Sequence, residues 1–197
     1  VSRCATVRFG PLPRDLVAQR LIAEGVDPSQ AAFWARFAEG SLGRALKLAA
    51  GELYDIKRTI LPQLANVPPG GDGDLAEKLA KTSDDLADQA VAETKQLEGA
   101  ALSKTLATRQ AAGTMLQLIA GLYRDAMHTA AGSDEPITHA DQLDCVQTVA
   151  SRLTLTQLAG LLGQLSGFEQ LLWRNVNPKL VWDNVVIACA DPTEADF

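Results

Sequence analysis

LSKTLATRQAAGTMLQLIAGLYRDAM, residues 102–127, carries apolar or small side chains at the spacing of an α-helix. The stripe consists of Leu102, Leu106, Gly113, Leu116, Ala120, Tyr123 and Met127. Residues three and four apart lie on one face of a helix, so this segment has one face that can be buried. The stretch therefore predicts a long helix that packs against other helices.

The same 3.6-residue spacing extends in both directions, over residues 74–187, and predicts a bundle of five or six helices. Helix starts are predicted where a capping residue precedes each apolar run, and proline favours the first helical position. The starts are the pairs Asp74 with Glu77 and Thr154 with Gln157, and the dipeptide Asn177-Pro178. A further helix is expected to begin near Leu53 and to kink or end at Pro62.

Three short helices are predicted before the bundle, within residues 10–52. Asp27-Pro28 is a strong start signal for the second of them, and Ser41 is the predicted cap of the third. Residues 5–9 alternate and carry β-forming side chains, so they predict one short strand before Gly10-Pro11. The expected class is all-α, with one residual strand at the N-terminus.

The composition of the chain excludes several classes of function. Apolar residues make up 47% of the 197 residues, and the net charge is −6, so a surface that grips the DNA backbone is disfavoured. Three cysteines without a CxxC pair disfavour a disulfide framework and a zinc site, and a reducing, cytoplasmic setting is expected. No GxxxxGK[ST] loop occurs, so this stretch is not expected to hold a nucleotide or to be active as an enzyme alone.

The histidines and tryptophans are not expected to take part in catalysis or in nucleic-acid binding. His128 and His139 flank a loop and are interpreted as solvated, not catalytic. Trp34, Trp173 and Trp182 have apolar neighbours and no basic stripe, so they are interpreted as core or interface anchors and not as base-stacking residues.

Two arginines are the candidate functional residues. Arg3, beside a predicted strand, presents a planar fork that suits phosphate oxygens, although a surface arginine near a chain end is the commoner explanation of position alone. Arg44 would be the third residue of the helix capped by Ser41, where the helix dipole disfavours a cation. An arginine at this position is explained if a phosphate binds nearby. It is equally explained if the side chain extends into solvent, away from the start of the helix.

The residues around these arginines resemble subunits of the bacterial DNA polymerase III clamp loader, in the AAA+ superfamily, and most closely the delta-prime subunits. Ser2-Arg3-Cys4 is similar to the Ser-Arg-Cys motif of that family. The segment from Gly40 through Ser41 and Arg44 resembles the sensor-2 segment of the family's lid. Residues 175–180 resemble the opening of the last collar helix, and the resemblance is most specific over residues 1–52.

This resemblance implies a role for each part of the chain. Residues 1–9 would end an ATPase core that lies before Val1, residues 10–52 would be the three-helix lid, residues 53–190 the collar that joins subunits, and residues 191–197 an acidic tail. Arg3 would act in trans as the arginine finger of a neighbouring ATP site, and Arg44 would sense nucleotide. No cofactor or metal is expected in this stretch itself. Implied partners are gamma/tau and delta through the collar, and the sliding clamp and primed DNA through the assembly.

Two other readings of the sequence remain open. The chain could be the lid and collar of the gamma/tau motor subunit, although Gly43-Arg44-Ala45 replaces the Arg-Asp that this subunit usually carries. It could also be a self-contained helical adaptor unrelated to nucleotides, in which the two arginines are coincidences.

Overall fold

A computed structural model of the chain describes residues 10–98, 102–174 and 176–193, and these residues form nine α-helices, one 3-10 turn and no strand. The predicted all-α class is confirmed for them, whereas the strand predicted at residues 5–9 lies outside them. The helices are α1 Arg14–Ala23, α2 Pro28–Phe37, α3 Leu42–Ala49, α4 Leu53–Ala65, α5 Gly73–Glu98, α6 Lys104–Ala130, α7 Leu143–Arg152, α8 Leu155–Trp173 and α9 Pro178–Ala190. The chain divides into two compact units, residues 1–58 and residues 59–197.

The first unit packs α1, α2 and α3 around an aromatic cluster. Phe33, Trp34 and Phe37 of α2 are buried, and the ring centroids of Phe33 and Trp34 lie 4.7 Å apart. Lys57 is fully buried, and its Nζ lies 4.0 Å from the centroid of the Phe33 ring and 4.4 Å from that of Tyr54. The cation therefore rests on two π faces, which offsets part of the cost of removing it from water.

The second unit is built around α6, which packs against α5, α7 and α8, while α9 packs against α5 and α8. The stripe predicted for α6 is only part of its buried surface. Leu116 and Tyr123 are buried as expected, but Ile119 and Leu122, outside the stripe, are fully buried as well. Because three helices surround α6, more than one of its faces is covered, and at its start Leu106 is 36% exposed.

The capping box at the start of α8 is confirmed. The Gln157 N–H donates to Thr154 Oγ1 at 3.2 Å, and the Thr154 N–H donates to Gln157 Oε1 at 3.0 Å. The cap predictions at Asp27, Ser41 and Asn177 are also confirmed, since each side chain accepts a hydrogen bond from a backbone N–H of its helix. These caps are local features, which explains why the sequence alone reveals them.

One capping prediction is wrong, and one of the two outcomes predicted at Pro62 does not occur. The cap of α5 is Asp72 rather than Asp74, because the helix already begins at Gly73 and Asp72 Oδ1 accepts from the N–H groups of Asp74 and Leu75 at 3.0 and 3.2 Å. Pro62 does not end α4, which continues to Ala65. Burial of Leu61, Leu64 and Ala65 beside it offsets the one backbone hydrogen bond that a proline cannot donate.

Candidate functional site

The start of α3 is the first candidate site, and its backbone requires glycine at position 40. Gly40 has a φ of 81°, and a Cβ there would lie 2.7 Å from the Leu12 carbonyl oxygen and from Pro11 Cβ. The Leu12 N–H donates to the Gly40 carbonyl oxygen at 3.0 Å. Gly40 therefore lets the segment before α1 lie directly against the turn that leads into α3.

Arg44 is the third residue of α3, as predicted. Its N–H donates to Ser41 Oγ at 3.4 Å, and its guanidinium carbon lies 5.1 Å from the centroid of the Phe37 ring. Contact with an aromatic face stabilises a partly exposed cation by about 0.5–1 kcal/mol, which is comparable to the cost of a cation at the start of a helix. The Phe37 contact, which the sequence does not reveal, therefore offsets the cost of an arginine at this place.

Ser2, Arg3 and Cys4 lie outside the described residues. The structure therefore does not show where Arg3 lies relative to Arg44, and the pairing of the two arginines with nucleotides stays a prediction. Of the residues predicted to carry function, it places Gly40, Ser41 and Arg44 together at one turn of the first unit.

A buried acid–base pair in the second unit corrects the expectation that His139 is solvated. His139 is fully buried and Asp125 is 2% exposed. Asp125 Oδ2 accepts two hydrogen bonds of 2.8 Å, one from the His139 backbone N–H and one through His139 Nδ1. One carboxylate of α6 therefore holds the loop that returns to α7, and only a three-dimensional fold reveals this because fourteen residues separate the pair.

The His139 ring packs directly on the backbone of α6. A Cβ added at Gly121 would lie 2.7 Å from His139 Cε1, which is closer than real Cβ contacts come. Gly121 is thus a glycine because the imidazole occupies the place of its side chain, a contact the helical pattern cannot indicate.

Gly121→Ala is expected to lower the free energy of unfolding by about 1–3 kcal/mol, because the ring is held by its bonds to Asp125 and cannot move away cheaply. Gly163→Ala is the matched control, since Gly163 lies in α8 with open space where its Cβ would be. That variant should be more stable by up to about 1 kcal/mol, because alanine is the better helix former. Urea unfolding of both proteins measures the difference, and equal shifts in one direction would contradict this packing.

The free energy of unfolding at acid pH should depend on the protonation of the Asp125 carboxylate. Burial alone would raise its pKa, but the hydrogen bonds from the His139 side chain and backbone outweigh burial and lower the pKa below its usual value. A carboxylate with a lowered pKa contributes stability above the unfolded pKa of about 4, and this contribution is lost as the pH falls towards the native pKa.

Urea unfolding at several pH values between about 5 and 2 should therefore show a steeper loss of stability in the natural protein than in Asp125→Asn. Parallel curves for the two proteins would show that the carboxylate does not titrate differently on folding.

Arg152 joins three segments at one end of the second unit. Its guanidinium donates to the Val67 carbonyl oxygen at 3.2 Å and to the Cys189 carbonyl oxygen at 3.1 Å, and the Gly70 N–H donates to Asp191 Oδ2 at 2.8 Å. An open cavity of about 380 Å³ lies beside these bonds. It is lined by Val67, Pro69, Arg152, Leu153, Gln157, Ala190, Asp191 and Pro192. Since both observed bonds of Arg152 go to backbone carbonyls, its clearest role is to hold the ends of α4 and α9 together.

The thiol below this junction is unsuited to nucleophilic chemistry. Burial raises the pKa of Cys189 to about 12, despite the hydrogen bond from Tyr123 and the charge of Arg152. A thiol that stays protonated is a poor nucleophile and a poor metal ligand. Within the described part of the chain, no group of three or more His, Cys, Asp or Glu side chains could hold a metal ion.

The surface of the second unit exposes several large apolar side chains. They are Leu106, Leu143, Leu155, Trp173, Leu180 and Ile187. Leu180 and Ile187 are more than half exposed and lie seven residues apart, on one face of α9. Trp34 and Trp182 are core residues, whereas Trp173 is 54% exposed.

Comparison with known proteins identifies this helical unit. Residues 82–189, more than half of the chain, match the family model described as DNA polymerase III, delta subunit, C terminal. The chain belongs to this family. The delta C-terminal match runs from within α5 to the end of α9 and includes the Asp125–His139 pair, Arg152 and Trp173. A search of curated proteins finds no match.

The match to the delta C-terminal family supports the resemblance to clamp-loader subunits, but it does not distinguish delta-prime from the other subunits. It covers the residues predicted to form the collar, where the resemblance rested only on the helical pattern. It does not include Gly40, Ser41 or Arg44. None of the helices in the described ranges is long and apolar enough to cross a membrane.

Proposed function

We propose that this protein is a delta-prime subunit of the DNA polymerase III clamp loader, which joins the assembly through its second unit and lends Arg3 to the ATP site of a neighbouring subunit. The observation that carries the proposal is the family match over residues 82–189 in a chain that also contains Ser2-Arg3-Cys4. The match supports the clamp-loader assignment, and the motif supports the delta-prime assignment within it.

The surface of the second unit supports a role in assembly. Leu180 and Ile187 give α9 an exposed apolar stripe, and Leu155 at the start of α8 is 46% exposed. Burying such side chains against another subunit releases about 25 cal/mol for each Å² removed from water. Gamma/tau and delta are the proposed partners, and the second unit is the proposed collar.

Arg3 is the proposed catalytic contribution. Transfer of the γ-phosphoryl group to water spreads negative charge over the phosphate oxygens, and a guanidinium supplied from a neighbouring subunit stabilises that charge. ATP would then be bound by the neighbour and not by residues 1–197. The sliding clamp and primed DNA are the proposed substrates of the assembly.

Arg44 has a more modest proposed role. The Ser41 cap and the Phe37 contact hold the guanidinium near the start of α3, so it needs little reordering to meet a phosphate. Gly43-Arg44-Ala45 departs from the Arg-Asp of gamma/tau, which favours delta-prime over the motor subunit.

Reconstituted clamp loading tests the proposal. Gamma/tau, delta, sliding clamp and primed DNA are combined with ATP, with and without the full protein that contains residues 1–197, and clamp bound to DNA is measured. We expect loading to require this protein, and to require ATP. Equal loading in its absence would contradict the proposed function, whereas ATP hydrolysis by the protein alone would identify it as the motor subunit.

A further inference from the structure

The open cavity at the end of α9 is lined by two opposite charges that do not pair with each other. Arg152 donates to the carbonyl oxygens of Val67 and Cys189 at 3.2 and 3.1 Å. Asp191 Oδ2 accepts from the Gly70 N–H at 2.8 Å. Both charged residues are exposed, and within the part of the chain that the structure describes neither belongs to an ion pair. The cavity therefore carries one cation and one anion, each held by backbone atoms.

No other charged side chain lines the cavity. Arg152 and Asp191 are the two charged members of the eight lining residues. The segments that supply the lining, residues 59–71, 153–168 and 184–190, contain no further charge. Asp72, which follows the first of them, lies outside the lining and caps α5 through its Oδ1. The two lining charges are therefore the ones that a ligand in the cavity would meet.

The rest of the cavity is suited to a small, partly apolar ligand. Val67, Leu153 and Pro192 are buried and form an apolar wall. The volume of about 380 Å³ lies near the lower end of the range of about 300–1,000 Å³ that is typical of ligand pockets. Gln157 also lines the cavity, and because its Oε1 accepts from the Thr154 N–H, its amide NH₂ is the group left to donate.

We propose that this cavity binds a small zwitterion with an apolar side chain, either a free amino acid or a dipeptide. The guanidinium of Arg152 would bind the carboxylate, because its planar fork matches two carboxylate oxygens. Asp191 would bind the ammonium group, and the apolar wall would contact the side chain. The inference concerns this cavity alone and does not depend on the proposed role in clamp loading.

The pair of opposite charges favours a zwitterion over other occupants. A simple anion would be repelled by Asp191, and a simple cation by Arg152. One side chain from another subunit carries at most one charge, so it would cover the other lining charge without pairing it, which is costly. Leu155 and Ile187, proposed above for subunit contacts, are not among the lining residues.

The chain itself leads away from the cavity after Pro192. The next residue, Thr193, accepts a hydrogen bond through its Oγ1 from Gln164 Nε2. Gln164 lies two turns beyond Gln157 on α8, so the chain at Thr193 follows that helix away from the cavity. This direction favours a separate molecule as the occupant.

An NMR titration of the intact, ¹⁵N-labelled protein with L-leucine and with leucyl-leucine tests the inference. We expect saturable binding of at least one of them, with a Kd below about 10 mM, and the one that binds more tightly distinguishes an amino-acid site from a dipeptide site. Two analogues of leucine each lack one charge: 4-methylpentanoate lacks the ammonium group and 3-methylbutylamine lacks the carboxylate. Both should bind at least about tenfold more weakly than leucine or leucyl-leucine, because each leaves one lining charge unpaired. Absence of saturable binding by both zwitterions, or equal affinity for the singly charged analogues, would overturn the proposal.

Asp191→Asn separates a bound ammonium group from a structural role of this side chain. The amide keeps an oxygen that can accept from the Gly70 N–H but removes the charge. Affinity for the zwitterion should fall at least about tenfold, whereas affinity for 4-methylpentanoate should not fall. Asp183→Asn is the matched control, since it removes a carboxylate two turns earlier on α9, outside the lining, and should leave both affinities unchanged. An equal fall for both compounds in Asp191→Asn would contradict the proposed contact.

A variant that fills the cavity locates the site independently of charge. Ala190 lines the cavity and is partly exposed, so Ala190→Trp can place its ring there without displacing the core. We expect this variant to remain folded in thermal unfolding and to lose zwitterion binding. Unchanged binding would show that the ligand lies elsewhere. Absence of zwitterion binding, together with loss of subunit assembly in Ala190→Trp, would replace the proposal with a pocket for another subunit.

Discussion

Arg3→Ala in the full protein is expected to lower the ATPase rate of the reconstituted clamp loader by about a thousandfold or more, while the complex still forms. The reason is electrostatic. In phosphoryl transfer a guanidinium supplied in trans neutralises charge that develops only in the transition state, so its loss affects the rate much more than it affects nucleotide binding. ATP hydrolysis in single-turnover conditions, with all other subunits natural, measures the effect.

Two variants make this experiment specific. Arg14→Ala removes an exposed arginine at the start of α1 and should leave the rate unchanged. Arg3→Lys keeps a positive charge but loses the planar fork, so only part of the rate should return. An unchanged rate in Arg3→Ala, with the complex intact, would remove Arg3 from the ATP site.

Asp125→Ala is expected to lower the free energy of unfolding of the second unit by about 3–5 kcal/mol. The substitution removes the acceptor of both the His139 backbone N–H and its ring nitrogen Nδ1, and it leaves these groups in a site with no access to solvent. It also releases the loop that these bonds hold against α6. Urea unfolding followed by far-UV circular dichroism measures the loss.

Asp85→Ala is the matched control for this substitution. Asp85 is exposed on α5, and its replacement should change stability by no more than about 0.5 kcal/mol. The double variant Asp125→Ala with His139→Ala should lose less than the sum of the two single variants, because each single change already breaks the same pair. Additive losses, or a loss from Asp125→Ala as small as that of the control, would show that the pair contributes little.

The features that the sequence predicts correctly are those that depend on residues close together in the chain. The Thr154–Gln157 capping box needs only three residues of separation, and Ser41 caps α3 in the same way. Helical periodicity is also local, which is why the all-α class is predictable. The predicted cap of α5 is wrong by two residues because Asp72 and Asp74 are equally good capping residues. Only the observed start of the helix, at Gly73, shows that Asp72 is the cap.

The features that the sequence does not reveal depend on long-range packing. Spacing cannot show that Asp125 holds His139, that the His139 ring takes the place of a side chain at Gly121, or that Lys57 lies on the Phe33 ring. Likewise, nothing in the apolar neighbours of Trp173 distinguishes it from the fully buried Trp182. The bundle brings these groups together only after its helices pack, so their burial and contacts emerge from the fold.

Native mass spectrometry of the mixed subunits is the sharpest test of whether this chain works as one subunit of a clamp loader. The full protein is combined with gamma/tau and delta, and the mass of the resulting complex gives its stoichiometry. We expect a defined hetero-oligomer that includes this protein and dissociates when polar substitutions replace Leu180 and Ile187 on α9. A complex of gamma/tau and delta that forms without this protein, while the protein stays free, would show that it is not a subunit of the clamp loader.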